Sequence, residues 1–450
     1  MLAFTSYARA NEPCRICVVD KENGYPVPLV ELKTVHNVTF YTDNAGVVAF
    51  DLPELMGQET WFTVTADGYE RKPDRFGFHG VRITPRPGER HEVTITRTSI
   101  AKRLGRITGA GIYGESRKSG EHVDWAESGV LGSDSIQSAV HGGKRYWFWG
   151  DTKLARYPLG LFHMTGATTP LQPLDHFTPP LKLNLTYFRD GKGVVRNVAN
   201  LAPDDPGPTW ISGCTSVSDR EGVKHLVGCY SKITPPLSSY RVGLCEWQEE
   251  TGNFESIRVL WQKADGKSRP DLLPVGHPVF YRDEQDKDWL LFGDPFPSMR
   301  MKSSYESWSD PSQWETVKTP KYVLDAKGNK IQPHRGSVVW SSFRKRWITI
   351  FTQQNGSPSY LGEVWYAEAG SPLGPWGTAV KVLSHRVYTF YNPKIHIGMT
   401  PADSPVLLFE GTYAQTFSNA KFPTPRHDYN QILYRLDLDD PGLAEALSSE

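Results

Sequence analysis

The feature that most constrains this chain is a weak repeat of one hairpin unit, which recurs five times after residue 131. Each unit has a polar start, an apolar strand, a polar turn, an aromatic-rich strand and a small or acidic end. The units are DSIQSAVHGGKRYWFWGDT, SGCTSVSDREGVKHLVGCY, GHPVFYRDEQDKDWLLFGDP, HRGSVVWSSFRKRWITIFTQ and NPKIHIGMTPADSPVLLFEGTY, starting near residues 134, 213, 277, 335 and 392. Three similar outer segments follow, EWQEETGNFE, SYESWSDPSQWE and VWYAEAGSPLGPW, and the last unit ends in YNQILYRLDL. A repeat of roughly sixty residues with about four short strands cannot bury its faces alone and stacks on its neighbours as a propeller blade. The expected fold is therefore all-β: a five-bladed β-propeller over 131–450, closed by pairing N- and C-terminal strands in one blade.

Composition narrows the function. Lys and Arg together number 50, as do Asp and Glu, so the formal net charge is zero over 450 residues. A nucleic-acid binder needs a cationic surplus to displace counterions, so no nucleic-acid partner is expected. No run of eighteen apolar residues occurs, so no membrane span is expected either. The 54 aromatic residues, with 40 Gly and 34 Pro, suit many short strands joined by turns.

Residues 13–98 read as a separate small all-β unit. RICVVD and LVELKTV alternate around a turn, VTFYT and VVAFDL flank TDNAG, and WFTVTADGYERK and HEVTITR add strands. Gly24-Tyr25-Pro26-Val27-Pro28, Thr42-Asp43-Asn44-Ala45-Gly46 and Ala66-Asp67-Gly68-Tyr69-Glu70 resemble the transthyretin-like, carboxypeptidase-regulatory-like β-sandwich domains. That resemblance implies an accessory module. Residues 99–130 read as a linker and a possible ring-closing strand. Its Gly-Ala-Gly has neither Walker nor dinucleotide spacing. Residues 1–12 are a signal remnant or a disordered start: Ala8-Arg9-Ala10 has the small-x-small form of a cleavage site. The expected location is secreted or periplasmic. Cys214 and Cys229 fall on paired strands and are expected to face each other as a cross-strand pair, a disulfide suited to an oxidising compartment. Cys14-x-x-Cys17 lacks a second ligand pair, and alternation puts its thiols on opposite faces of a strand, so buried thiols are expected there.

The first hairpin carries the chemistry. If Gly142-Gly143 is a two-residue turn, opposed residue numbers sum to 285, and Asp134 faces Asp151 at the open end. Opposed Cβ atoms lie about 4.5–5.5 Å apart. Two carboxylates that close repel, one pKa rises, and an acid stands beside a base or nucleophile. About 5 Å suits a retaining glycosidase and roughly 6.5–9.5 Å an inverting one. Other units echo the arrangement. His277 and Asp294 flank the third turn, Arg335 and Gln353 the fourth, Asn392 and Glu410 the fifth. The implied funnel gathers Asp134, Asp151, Asp294 and Glu410 as candidate catalytic acids. Its candidate sugar-binding groups are Gln137, His277, His334, Arg335, Asn392, Lys394 and His396, with Trp149, Trp210 and Tyr230 as stacking faces. The recurrence of Asp151 as Asp294 also suits a turn acceptor of backbone N–H groups. Arg335 also suits a simple ion-pair partner for one of these acids.

Asp134, Trp149-Gly150-Asp151-Thr152, Glu363-Val364-Trp365-Tyr366-Ala367 through Pro372-Leu373-Gly374-Pro375-Trp376, Glu410-Gly411-Thr412-Tyr413 and Asn430-Gln431 through Tyr434-Arg435-Leu436-Asp437 resemble the five-bladed propeller glycoside hydrolases. That group spans arabinanases, arabinofuranosidases, fructosidases and endo-D-arabinanases. The Gly-Asp-Thr element resembles the endo-D-arabinanase-like members, which implies Asp134 as nucleophile or base and Asp151 as acid. The arabinanase pattern implies Asp134, Asp294 and Glu410 instead. The expected activity is glycoside hydrolysis of a polysaccharide or oligosaccharide, with no cofactor and an axial divalent cation left open. Two other readings stand beside it. One is a propeller polysaccharide lyase with His277, His396 or Tyr230 as base and Arg335 or Lys394 as neutraliser. The other is a non-catalytic carbohydrate- or protein-binding propeller.

Overall fold

A computed structural model of the chain describes residues 12–125, 128–161, 163–171, 179–201, 205–424 and 426–447. The Ala8-Arg9-Ala10 signal expected from the sequence lies outside the described residues. The described chain is nearly all β, with a few short helical turns.

Near the N-terminus lie two four-stranded sheets. One orders its strands Val47–Phe50, Cys14–Asp20, Arg90–Arg97 and Tyr69–Glu70; the other Thr39–Tyr41, Glu31–Thr34, Thr60–Thr65 and Gly80–Ile83. Alternation sends Ile16, Val18, Val48, Val93 and Ile95 of the first sheet and Leu32, Phe62, Val64 and Ile83 of the second into one shared core. Cys14 joins that core while Cys17, also buried, does not, as an i, i+3 spacing on a strand requires.

Five further four-stranded antiparallel sheets follow, the first four with their strands in sequence order. The first holds Ile136–His141, Lys144–Trp149, Thr165–Pro170 and Thr186–Tyr187, and the second holds Thr209–Ser218, Lys224–Thr234, Ser238–Gln248 and Asn253–Gln262. The third holds Val279–Arg282, Asp288–Gly293, Pro297–Lys302 and Glu315–Thr316, and the fourth Pro333–Ser341, Arg346–Gln353, Val364–Ala369 and Val380–Leu383. The fifth combines Thr389–Ile395, Val406–Ala414 and Asn430–Asp437 with Lys102–Arg106, a strand from the early chain.

Five apolar layers join these sheets. Phe148 and Tyr146 of the first sheet meet Ile211 and Cys245 of the second. Val227 and Leu244 meet Phe292 and Met299 of the third. Val279 and Leu291 meet Phe351 and Trp365 of the fourth. Ile350 and Tyr366 meet Phe390 and Phe409 of the fifth, and Leu408 and Leu433 of the fifth meet Trp147 and Trp149 of the first. Each such side chain contributes roughly 1.5–3 kcal/mol of burial, so the aromatic content is spent between sheets.

Polar ties run between the same neighbours. Cys214 N–H donates to Gln137 Oε1 (3.4 Å), Gly276 N–H to Ser212 Oγ (2.9 Å), Gly336 N–H to Asp294 Oδ1 (2.8 Å) and Ile395 N–H to Ser337 Oγ (2.8 Å). The last sheet returns to the start of the first hairpin, where Gln431 Nε2 donates to the Ser133 carbonyl at 3.0 Å.

The expected Cys214–Cys229 pair does not form, and all five cysteines are free and buried. Cys229 faces Ser212, because the register shifts between Ser212 and Thr215. The bulge turns Cys214 toward the first sheet, whereas Cys229 points toward the third.

Candidate active site

The first hairpin has the register its turn dictates. Gly142 (φ 54°) and Gly143 (φ 76°) both occupy the left-handed region, as a type I′ turn demands. His141 faces Lys144 and Ile136 faces Trp149, and the ladder resumes at Ser133 opposite Thr152. Between these segments Asp134 N–H donates to the Asp151 carbonyl at 2.8 Å, so the two aspartates oppose each other. They do not lie at the hairpin's open end. They sit at a joint where one sheet ends and Val130–Ser133 and Thr152–Leu154 begin a separate three-stranded sheet. Both are half-buried.

Their environments differ. Asp134 Oδ1 accepts from Ser135 N–H (2.6 Å) and Ser135 Oγ (2.9 Å), and Oδ2 accepts from the Tyr429 hydroxyl (2.7 Å). Asp151 Oδ1 accepts from Trp210 Nε1 at 3.1 Å. Burial pushes the Asp151 carboxyl up to about 6; the Trp210 bond pulls against that and the Asp134 charge adds to it. Burial and then the Asp134 charge also hold the Tyr429 and Tyr391 phenols well above the ordinary tyrosine value.

Tyr429 was not foreseen. It stands at φ 57° just before the strand Asn430–Asp437, and its ring lies 5.0 Å beneath Lys153 Nζ. Lys153 in turn pairs with Asp428 at 2.8 Å, and Asn430 Nδ2 donates to the Leu131 carbonyl at 3.0 Å. A Cβ at Gly132 would lie 2.2 Å from the Tyr429 carbonyl oxygen, so only glycine lets this strap lie against the hairpin. The sole sequence signal was proximity to the last strand, since the Tyr429–Asp134 contact spans 295 residues.

Several expected funnel residues are placed elsewhere. Trp149 is fully buried and stacks on Tyr187 at 5.6 Å, and Tyr230 is buried with its hydroxyl on Ser256 Oγ at 3.0 Å; neither offers a face to a sugar. Gln137 is buried as a tie to the second sheet. His277 N–H donates to the Gly293 carbonyl (3.4 Å), and Gly276 is the residue bridged to Gly293, so His277 is not set against Asp294. Asp294 instead binds Arg335 Nη1 at 2.7 Å and Gly336 N–H at 2.8 Å, fastening the third sheet to the fourth. Burial raises its pKa against the pull of Arg335. Arg335 is exposed beyond this pair, and His334 is half-buried and held down to about 4 by burial and by Arg335. A register shift between Tyr391 and Lys394 moves Asn392 off Glu410. Asn392 lies in the left-handed region at φ 52° and donates to Ser135 Oγ, beside Asp134.

Glu410 is 0% exposed and opposes Lys394 across the fifth hairpin, so it cannot touch a polysaccharide. His396 Nε2 lies 3.1 Å from Glu410 Oε2, and Lys394 Nζ lies 3.3 Å from His277 Nδ1. Burial pushes Glu410 up and Lys394 down, while burial and the nearby Lys394 keep both histidines neutral. The fifth hairpin therefore buries Lys394 and Glu410, both shifted toward their neutral forms, beside two neutral imidazoles. The donor set suits an ammonium; Lys394 and the nearby Arg145 charge oppose a divalent cation there. Among the described residues no cluster of three or more His, Cys, Asp or Glu side chains has metal-ligand geometry.

No family model and no curated protein matches this chain. Solved structures with similar strand arrangements include an arabinanase of Bacillus subtilis, 12% identical, covering 68% of this chain and 96% of that one with a TM-score of 0.35. An exo-β-1,3-galactanase of Phanerochaete chrysosporium is 12% identical over 68% of this chain and 61% of its own, with a TM-score of 0.38. An N-acetylgalactosamine deacetylase of F. plautii is 11% identical over 71% and 94%, with a TM-score of 0.41. Overlaps this loose, spread over unlike reactions, leave the functional reading to the chain's own side chains.

Proposed function

We propose that this chain is a glycoside hydrolase that uses Asp134 and Asp151 as its two carboxyl groups. We further propose that 131–450 form a five-bladed propeller, with 13–98 as an accessory β-sandwich and 99–130 as a connector that lends Lys102–Arg106 as the ring-closing strand. The ring reading is supported by the apolar layers and hydrogen bonds that link each sheet to the next and the fifth to the first.

One observation carries the activity: two half-buried aspartates opposed across a hairpin, one of them with its carboxyl pushed up to about 6. Asp151 holds a proton into the mildly acidic range and gives it to the glycosidic oxygen as the C–O bond breaks. Asp134, fixed by Ser135 and Tyr429, attacks the anomeric carbon from the carboxylate and forms a glycosyl ester. Asp151 then takes a proton from the water that displaces Asp134, which restores both groups. Opposed Cβ atoms favour the short separation of about 5–5.5 Å and hence net retention.

The lyase reading needs an accessible histidine or tyrosine base. Its candidates His277, His396 and Tyr230 are all buried. A panel of arabinans, galactans and fructans tests the proposal: new reducing ends without a product absorbing in the short ultraviolet support hydrolysis. An unsaturated product would overturn it.

A further inference from the structure

The end of the sheets remote from Asp134 carries an unusual surface. Each of the five long hairpins exposes a large apolar side chain at or beside its turn. These are Val140 (45% exposed), Val223 (55%), Phe280 (52%), Trp340 (46%) and Ile397 (63%). They belong to one face. Phe280, Trp340 and Ile397 line a single open groove of about 310 Å³, floored by Trp347 and Pro401. Arg145 Nη2 donates to the Ile397 carbonyl, which ties the first hairpin to the fifth at this end. His141 Nδ1 lies 3.0 Å from Ser216 Oγ, which ties the first to the second. Exposed apolar side chains gathered around one groove suit a contact surface.

Charge identifies the occupant. The third-sheet turn carries Asp283, Glu284, Asp286 and Asp288 against Arg282 and Lys287. The adjacent fourth-sheet turn carries Arg344, Lys345 and Arg346 with no acid. Arg344 and Arg346 turn back to Glu368, at 2.9 and 3.9 Å, so Lys345 is the charge presented outward; Glu284 is its exposed counterpart on the acidic turn. A surface with one net acidic and one basic turn side by side is self-complementary under a two-fold axis. We propose that this face binds a second copy of the chain.

The axis runs in the plane of the face, between the third and fourth sheets. It lays each copy's acidic turn over the partner's basic turn, so Glu284 meets Lys345 and Phe280 meets Trp340 across the interface. In a five-membered ring the same axis sets Ile397 over Val223 and Val140 over Val140. This register rests on the ring reading above but not on the hydrolytic one, because the face lies away from Asp134 and Asp151.

Sedimentation and light scattering of the full chain, without substrate, test it. The expected mass is twice 50.6 kDa. Trp340→Ser should weaken association by about tenfold or more, as for an aromatic anchor at an interface centre. Lys345→Glu should weaken it, and the Lys345→Glu/Glu284→Lys double variant should restore it. All of these positions are exposed, so each variant should keep the parent's fold and activity, and any fall in melting temperature should track the loss of dimer with dilution. A monomer at every attainable concentration overturns the proposal, as does a dimer unaffected by Trp340→Ser or a charge swap that fails to rescue. A monomer whose Trp340 fluorescence responds to soluble glycans also overturns it and assigns the face to sugar.

Discussion

Replacing Asp151 by Asn should make the protein more stable at neutral pH, and the size of the gain follows from the site. The Asp151 carboxyl stands at about 6 in the fold against 3.8 for an ordinary aspartate. Between about pH 4 and pH 6 the native state therefore holds a proton that the unfolded chain has released, so stability falls as pH rises through that window. A displacement of about two pH units corresponds to about 3 kcal/mol of stability, fully present below pH 4 and lost above pH 6. Asparagine keeps an oxygen for Trp210 Nε1 and removes the charge beside Asp134. The variant should match the wild type near pH 4 and exceed it by up to about 3 kcal/mol at pH 8. For a chain of this length the melting temperature rises by about 3 °C. Paired thermal melts across pH 4–8 measure the difference directly. Curves for the two proteins that run parallel over the whole range would overturn this expectation, because they would mean that no proton is held at Asp151.

Other consequences are open to direct measurement. Hydrolysis needs Asp151 protonated, so kcat/KM should decline above about pH 6, and Trp210→Phe, by removing the bond that lowers this pKa, should move the decline to higher pH. Tyr429→Phe removes a hydrogen bond to the Asp134 carboxylate and should lower kcat/KM by about tenfold or more with little change in melting temperature. Lys394→Met removes the charge that pulls the Glu410 carboxyl down against burial, so Glu410 should hold its proton to still higher pH, read by infrared titration of the buried carboxyl. With Lys394 and Arg145 already beside Glu410, EDTA should change neither melting temperature nor turnover. Thiol titration should find five free cysteines, reactive only after unfolding.

How much of this was legible in the sequence depended on distance along the chain. The first hairpin was readable because Gly142-Gly143 fixes its turn, and a fixed turn fixes every opposed pair, Asp134 and Asp151 included. Bulges were not readable. The shifts after Ser212 and Tyr391 moved Cys214 and Asn392 out of the pairings that counting gave them. Alternation also failed for Trp149 and Tyr230. When both faces of a sheet are covered by neighbouring sheets, period two separates the faces but marks neither as solvent-facing. Asp294 resembled Asp151 in local sequence, yet its role was set by Arg335, a residue of the following sheet. Tyr429 reaches Asp134 only because the last sheet meets the start of the first hairpin, a contact that no local pattern encodes.

In the proposed reaction Asp134 and Asp151 together break a glycosidic bond. The most direct measurement is the turnover of Asp134→Asn and Asp151→Asn beside the wild type on whichever glycan the wild type hydrolyses. Each substitution should reduce kcat by about a hundredfold or more, as loss of a nucleophile or a general acid does, with the fold retained. Either variant turning over at the wild-type rate would contradict it.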